Sequence, residues 1–327
     1  MRAIVNTKPG GPEVLEEQDR PVPEPGLGQI RVRVHASALN RADLLQRRGA
    51  YPAPAGASPD IPGMEYAGEV DALGQATSLW QIGDRVMGLI GGAGHAEYLC
   101  VHEREAMPVP ANLSWEEGAA IPEVFLTSYD ALVRQLDVRA GERLLIHAVG
   151  SGVGTAALQL ARVAGMTVIG TSRSPAKLER AKELGLEIGI DSSKDDWPSQ
   201  VEQATAGKGV DVVLDLLGGA YLVASIRTLA PRGRLILVGL TAGRTAELDL
   251  GMILNKRAHV VGTMLRSRSL EEKISLSRDG SDKMVPLFES GRLRPVIDRV
   301  FSFKQIRDAH RLMESDSNFG KIVLRWD

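Results

Sequence analysis

Residues 29 to 36 alternate, with Ile30, Val32 and Val34 on one side and Arg31, Arg33 and His35 on the other. A period of two is what a strand with one buried face requires. Shorter apolar runs at Arg2–Asn6, Tyr66–Ala72, Arg85–Leu89 and Ala96–Val101 are separated by turns rich in glycine and proline. Together they predict an antiparallel, barrel-like domain. Pro108-Val109-Pro110 marks its edge, and Ser114-Trp115-Glu116-Glu117 reads as a capping box that opens a helix.

Beyond residue 142 the pattern changes. The apolar run Leu144–His147 meets a turn with glycines at 150, 152 and 154, and an alanine-rich helical pattern follows at once. Thr167–Thr171 reads as a second buried strand and Pro175–Leu184 as a helix. Val210–Leu217 and Arg234–Val238 are further β-branched runs, with helical stretches around 197–206 and 219–230, and Ala258–Thr263 is a late edge strand. Strands alternating with helices imply a parallel sheet covered on both faces. The tail carries a helix at Phe303–Met313 and a strand at Lys321–Leu324, expected to return to the first domain. The fold class is therefore α/β, with domains at 1–121 and 122–264 and a C-terminal return over 265–327.

The turn at 150–154 carries the chemistry. Glycines allow a sharp turn and close approach of a ligand, and the helix behind offers free N–H groups at its positive dipole end. That is the architecture of a dinucleotide pyrophosphate cradle, although Ser151 stands where the middle glycine of the G-x-G-x-x-G pattern would fall. At the end of the second strand, NAD-specific folds place an acid for the ribose hydroxyl. Here the order is Thr171-Ser172-Arg173-Ser174-Pro175-Ala176-Lys177, with no acid before Glu179. A cationic, hydroxyl-rich turn suits a 2′-phosphate, and so NADPH. The competing reading is that Arg173 and Lys177 only solvate a helix start.

Composition narrows the class. A chain of 327 residues with 43% hydrophobic content can fill two cores. A net charge of −2 with both signs scattered argues against nucleic acid or an anionic membrane as partner. Cys100 is alone, so an intrachain disulfide is impossible and a reducing compartment is expected. With no signal-like N-terminus and no run long enough to span a bilayer, the expected location is cytoplasmic.

The order of domains resembles the medium-chain dehydrogenase/reductase superfamily, in which a GroES-like barrel domain accompanies a Rossmann domain. Ala36–Leu44, Ile61–Gly68 and His147–Gly154 resemble its zinc-free, NADPH-dependent quinone oxidoreductases, the zeta-crystallin-like branch. The Ser151-Gly152-Val153-Gly154 turn and Pro122-Glu123 before Leu126-Thr127 look closest to the p53-inducible quinone oxidoreductase subgroup. At the positions matching the superfamily's catalytic zinc ligands stand Asn40, Met64 and Glu123, a poor ligand set, so no metal is expected. A metal site from His95, Cys100 and His102 lacks ligand spacing. The resemblance implies Asn40, Tyr51 and Asp43 beside the nicotinamide. Asn40 and Tyr51 are donors to a carbonyl oxygen, while Asp43 is equally a helix-start carboxylate. It further implies cofactor contacts at Thr127, Gly150, Ser151, Gly152, Val153, Ser172, Arg173, Ser174, Lys177, Gly239, Leu240, Leu265, Arg266, Asn318 and Lys321. Its expected activity is metal-free hydride transfer from NADPH to a quinone by a homodimer. Reduction of an activated enone and non-enzymatic NADPH binding are the alternatives.

Overall fold

In the computed structural model, which describes residues 1–194 and 196–326, the run after residue 142 forms the strand Arg143–Ile146 inside a six-stranded parallel sheet. Across the sheet the strands are Ile188–Asp191, Thr167–Ser172, Arg143–Ile146, Val210–Asp215, Leu229–Leu237 and His259–Gly262. Counted in chain order within the sheet this is 3-2-1-4-5-6, the doubly wound arrangement. Leu144, Leu145, Ile146, Val212, Val213 and Leu214 are all fully buried, as both faces of a helix-covered parallel sheet must be. The helices Gly152–Val163, Pro175–Glu183, Trp197–Ala204 and Ala220–Thr228 connect these strands. This sheet and its helices form one compact unit, Thr127–Met264.

Met1–Leu126 and the residues from Leu265 onward form the other unit. Its main sheet follows the path Ile297–Ser302, Lys321–Arg325, Gln29–Ala38, Glu65–Leu73, Arg85–Leu89 and Met107–Pro108, and Tyr98–His102 pairs with Gln29–Ala38 as well. The long strand Gln29–Ala38 shares one edge between two partners: residues 29–33 pair with Tyr98–His102, and residues 36–38 with the returning strand Lys321–Arg325. Its alternation is real packing, because Ile30, Val32 and Val34 are buried with Tyr66, Val70, Val86 and Leu99. The arrangement is antiparallel except at one edge, where Ile297–Ser302 and Lys321–Arg325 run parallel. The expected α/β class, a barrel-like unit with a doubly wound one, is thus the observed class.

Four strands escape the hydrophobic pattern: Leu15–Asp19, Met107–Pro108, Ile188–Asp191 and Ile297–Ser302. Each lies at the end of its sheet or in a two-stranded ribbon, where few side chains need burying, so strand propensity is weak there. The helix Leu270–Asp279, opened by a reciprocal capping box of Ser269 and Glu272, was also missed, since the tail was expected to carry one helix at Phe303–Met313. Among the described residues no helix is long and apolar enough to cross a membrane.

Candidate functional site

In the doubly wound unit, Ser151 caps the helix Gly152–Val163, its hydroxyl oxygen accepting from the Gly154 N–H at 3.0 Å. That leaves the Ser151 hydroxyl proton free to donate. Gly154 acts here through space rather than dihedral freedom. The left-handed residue of the turn is Ala148, at φ 49°. Gly154 is required because a Cβ there would lie 2.5 Å from the Ala148 carbonyl oxygen and 2.7 Å from that of Val149. Gly150, Gly152 and Val153 complete the turn and the first helical residues.

In a parallel sheet all strands end at the same side, where such folds bind ligands. Four segments follow those ends. They are the turn at 148–151, the Ser172–Ser174 segment, the Asp215–Gly219 segment, and Gly239 with Leu240. Ser172 is buried, and its hydroxyl accepts from the Ser174 N–H at 3.1 Å. Arg173 is exposed, and Lys177 lies partly exposed in the first turn of the helix Pro175–Glu183. Gly239 is a second close approach, since a Cβ would sit 2.6 Å from the Leu216 carbonyl oxygen. Leu240 is exposed and Thr127 buried.

Sequence reasoning missed Asp215. It ends a central strand fully buried, with one carboxylate oxygen accepting from the Leu217 and Gly218 N–H groups at 2.8 and 2.9 Å. The other oxygen has no partner, and burial raises the carboxyl above its usual range. The signal was an acid at the end of a β-branched run followed by Gly218-Gly219. His147 is by contrast a packing residue: Nδ1 and Nε2 pair with the Thr171 and Ser225 hydroxyls at 2.9 and 2.8 Å, and Trp197 and Tyr221 edge its ring.

In the barrel-like unit, Asn40 caps the helix Arg41–Arg47. Asp43 completes that cap. One of its oxygens accepts from the Asn40 N–H at 2.7 Å and the other from the Gly63 N–H at 3.1 Å. It is fully buried, and desolvation raises its carboxyl above the ordinary value. The helix start thus occupies one oxygen of Asp43 and the Gly63 N–H the other. The Asn40 Nδ2 donates to Glu65 Oε1 at 2.8 Å, and its Oδ1 accepts from Lys321 Nζ at 2.7 Å. Asn318 donates to the Gly320 carbonyl at 2.8 Å.

Arg266 is buried, donating to the Gly91 carbonyl from Nε and Nη2, to Gln46 Oε1, and at 3.4 Å to the Tyr51 carbonyl. Its guanidinium also lies 5.1 Å from the centre of the Tyr51 ring. It therefore anchors the loop that presents Tyr51. Burial pushes the Tyr51 phenol above its usual value, so at neutral pH it is a donor. Leu265 beside it is buried.

Of the three positions matched to zinc ligands, Asn40 is engaged as above, Met64 is buried, and Glu123 contributes its backbone N–H to Glu65 Oε2 at 2.8 Å. His95 is buried against Phe303, Cys100 has its thiol pushed up to about 11 by burial, and His102 accepts from the Arg104 N–H. Among the described residues no three His, Cys, Asp or Glu side chains are grouped to hold a metal ion.

Comparison with known proteins agrees with this geometry. Residues 26–111 match the alcohol dehydrogenase GroES-like domain and residues 152–278 the zinc-binding dehydrogenase domain. The chain is 34% identical to the quinone oxidoreductase of Pseudomonas aeruginosa, over 96% of each chain. It is 33% identical to the synaptic vesicle membrane protein VAT-1 homolog of Mus musculus, over 99% of this chain and 83% of that one. Among solved structures, an NAD-dependent alcohol dehydrogenase superposes over the whole of both chains with a TM-score of 0.88 at 34% identity. CurK enoyl reductase gives 0.87 at 28%, covering 100% of this chain and 99% of its own. A mycobacterial protein complexed with NADPH gives 0.89 at 27%, covering 99% and 100%. The chain belongs to the medium-chain dehydrogenase/reductase superfamily, oxidoreductases that use a nicotinamide cofactor. Within it, this is a quinone oxidoreductase-like protein.

Proposed function

We propose that the protein transfers hydride from NADPH to a quinone without a metal. The observation that carries the quinone is the 34% identity, over 96% of both chains, to a quinone oxidoreductase. The residues present fit the cofactor. The tight turn that Gly154 permits presents the N-terminus of the helix Gly152–Val163, and Asp215 holds a buried oxygen without a partner at the same side of the sheet. NADPH, when bound, supplies the hydride. Ser151 and Thr127 orient it, Gly150, Gly152 and Val153 receive its pyrophosphate, and Ser172, Arg173, Ser174 and Lys177 select its 2′-phosphate. Tyr51 offers a flat ring face and a phenolic proton, and Asn40 an amide proton, toward the negative charge that grows on the acceptor oxygen. The CurK enoyl reductase likeness favours an activated enone as the second reading. Steady-state NADPH oxidation with a quinone, then with an enone, tests both. Rapid oxidation with the enone alone transfers the assignment, and none with either leaves NADPH binding as the activity.

Cofactor selection has its own test. A hydrogen bond to a charged group is worth about 1.5–3 kcal/mol, or roughly 10- to 100-fold per contact. Arg173→Ala with Lys177→Ala should raise the Michaelis constant for NADPH by at least about tenfold and leave that for NADH little changed. Equal effects on the two cofactors would show that the cations serve the helix start.

We also propose a homodimer. The strand His259–Gly262 ends its sheet, with Val260 and nearby Met264 exposed, and open edges invite pairing with a second copy. Light scattering should give about twice the 35.2 kDa chain mass. A mass that stays at one chain across concentrations refutes the pairing.

A further inference from the structure

We propose that Lys321 is the internal cation that orients and polarises the Asn40 amide, which makes it a positioning residue for the acceptor site. The inference rests on the reading of Asn40 given above. Lys321 opens the returning strand Lys321–Arg325, Glu65 opens the strand Glu65–Leu73, and Asn40 caps the helix Arg41–Arg47, all within the barrel-like unit. Lys321 and Glu65 have side chains 3% and 0% exposed. The ammonium has three protons and three acceptors: the Leu39 carbonyl at 2.8 Å, Asn40 Oδ1 at 2.7 Å and Glu65 Oε1 at 2.7 Å. Glu65 Oε1 also takes the Asn40 Nδ2 donor, and Oε2 takes the Glu123 N–H. The ammonium therefore has no proton left for a cofactor phosphate unless one of these bonds breaks.

The Asn40 amide is held by charge as well as by shape. Turning it over would set its NH2 against the ammonium and its oxygen against the carboxylate, reversing two charge-assisted hydrogen bonds. One amide proton is committed to Glu65. The other meets only the Ala38 carbonyl, at 3.4 Å, so it is the weakly held donor of the cluster. An ammonium on the amide oxygen draws electron density from the nitrogen and strengthens that N–H as a donor, as linked hydrogen bonds polarise one another. A cation supplied by the chain itself thus sits on Asn40, one of the positions that match a zinc ligand.

Three proteins separate this role from a merely structural ion pair. Lys321→Met alone should melt well below wild type, because Glu65 is left buried and uncompensated. Lys321→Met with Glu65→Gln removes both charges and should recover most of the melting temperature. If Lys321 positions Asn40, the double variant still turns over quinone about tenfold more slowly, the worth of one hydrogen bond. Its Michaelis constant for NADPH should stay within about twofold, and adding Asn40→Ala should cost little more. Recovery of turnover together with melting temperature overturns the proposal. A readout independent of activity is the Asn40 side-chain amide pair in a ¹⁵N correlation spectrum, assigned by its loss in Asn40→Ala. The two protons should be well separated and slow to exchange in wild type, and should move toward ordinary exposed values in the double variant. An unchanged pair overturns the positioning role. Absent quinone turnover in wild type, with the pair still shifting, would instead sink the quinone reading alone.

Discussion

Between about pH 6.5 and about pH 5, the melting temperature is expected to fall steeply, before ordinary carboxylates titrate. Three buried histidines cause it. Desolvation pushes the rings of His95 and His147 down to about 3, and His310 well below its usual value. His310 faces Arg47, whose Nη1 lies 3.0 Å from its Nδ1, and burial first, with the Arg47 charge beside it, opposes its protonation. The unfolded chain takes up these protons below about pH 6.5, while in the folded chain His95 and His147 resist until about pH 3 and His310 also resists well below its usual value. Stability is therefore fully present above about pH 6.5 and is lost as pH falls toward 3. Each histidine contributes a slope approaching about 1.4 kcal/mol per pH unit. His95 and His310 belong to one unit and His147 to the other, so the barrel-like unit should weaken roughly twice as fast. Against a total of about 5–15 kcal/mol, that is a large share. Calorimetric scans from pH 8 to 5 should show the decline, shallower in His310→Gln. A melting temperature flat across that range would mean the rings are not held neutral.

Gly154→Ala should cripple nucleotide binding. Its Cβ would press on two backbone carbonyl oxygens at 2.5 and 2.7 Å, and neither can swing aside as a side chain could. The turn at 148–151 must then shift, taking the Ser151 cap and the helix N-terminus with it. Overpacking of this kind costs about 1–3 kcal/mol of stability. Losing a hydrogen bond to a charged pyrophosphate, worth about 1.5–3 kcal/mol, costs roughly 10- to 100-fold. Titration of NADPH fluorescence should show a dissociation constant raised by that order, with the chain still folded by circular dichroism. An unchanged constant would place the nucleotide elsewhere. Ser151→Gly is the milder comparison, since a glycine cap costs only a few tenths of a kcal/mol.

Patterning was enough wherever burial is periodic or continuous. Ile30, Val32 and Val34 announce a half-buried strand, and Leu144–Ile146 with Val212–Leu214 announce a sheet buried on both faces, because water exclusion acts on each residue locally. The glycine turn and the acid-free Ser172–Lys177 segment were legible for the same reason, since a tight turn and a strand end leave local marks. The edge strand Ile188–Asp191 left none, being held by backbone bonds to a single neighbour. The roles of Asp43, Arg266 and Lys321 were decided only by tertiary structure. Asp43 meets Gly63, Arg266 meets Gln46 and Gly91, and Lys321 meets Glu65 across 256 residues of chain. A charged side chain looks alike in sequence whether it faces solvent or a buried partner. The fold supplies the partner, and desolvation then makes the pairing obligatory.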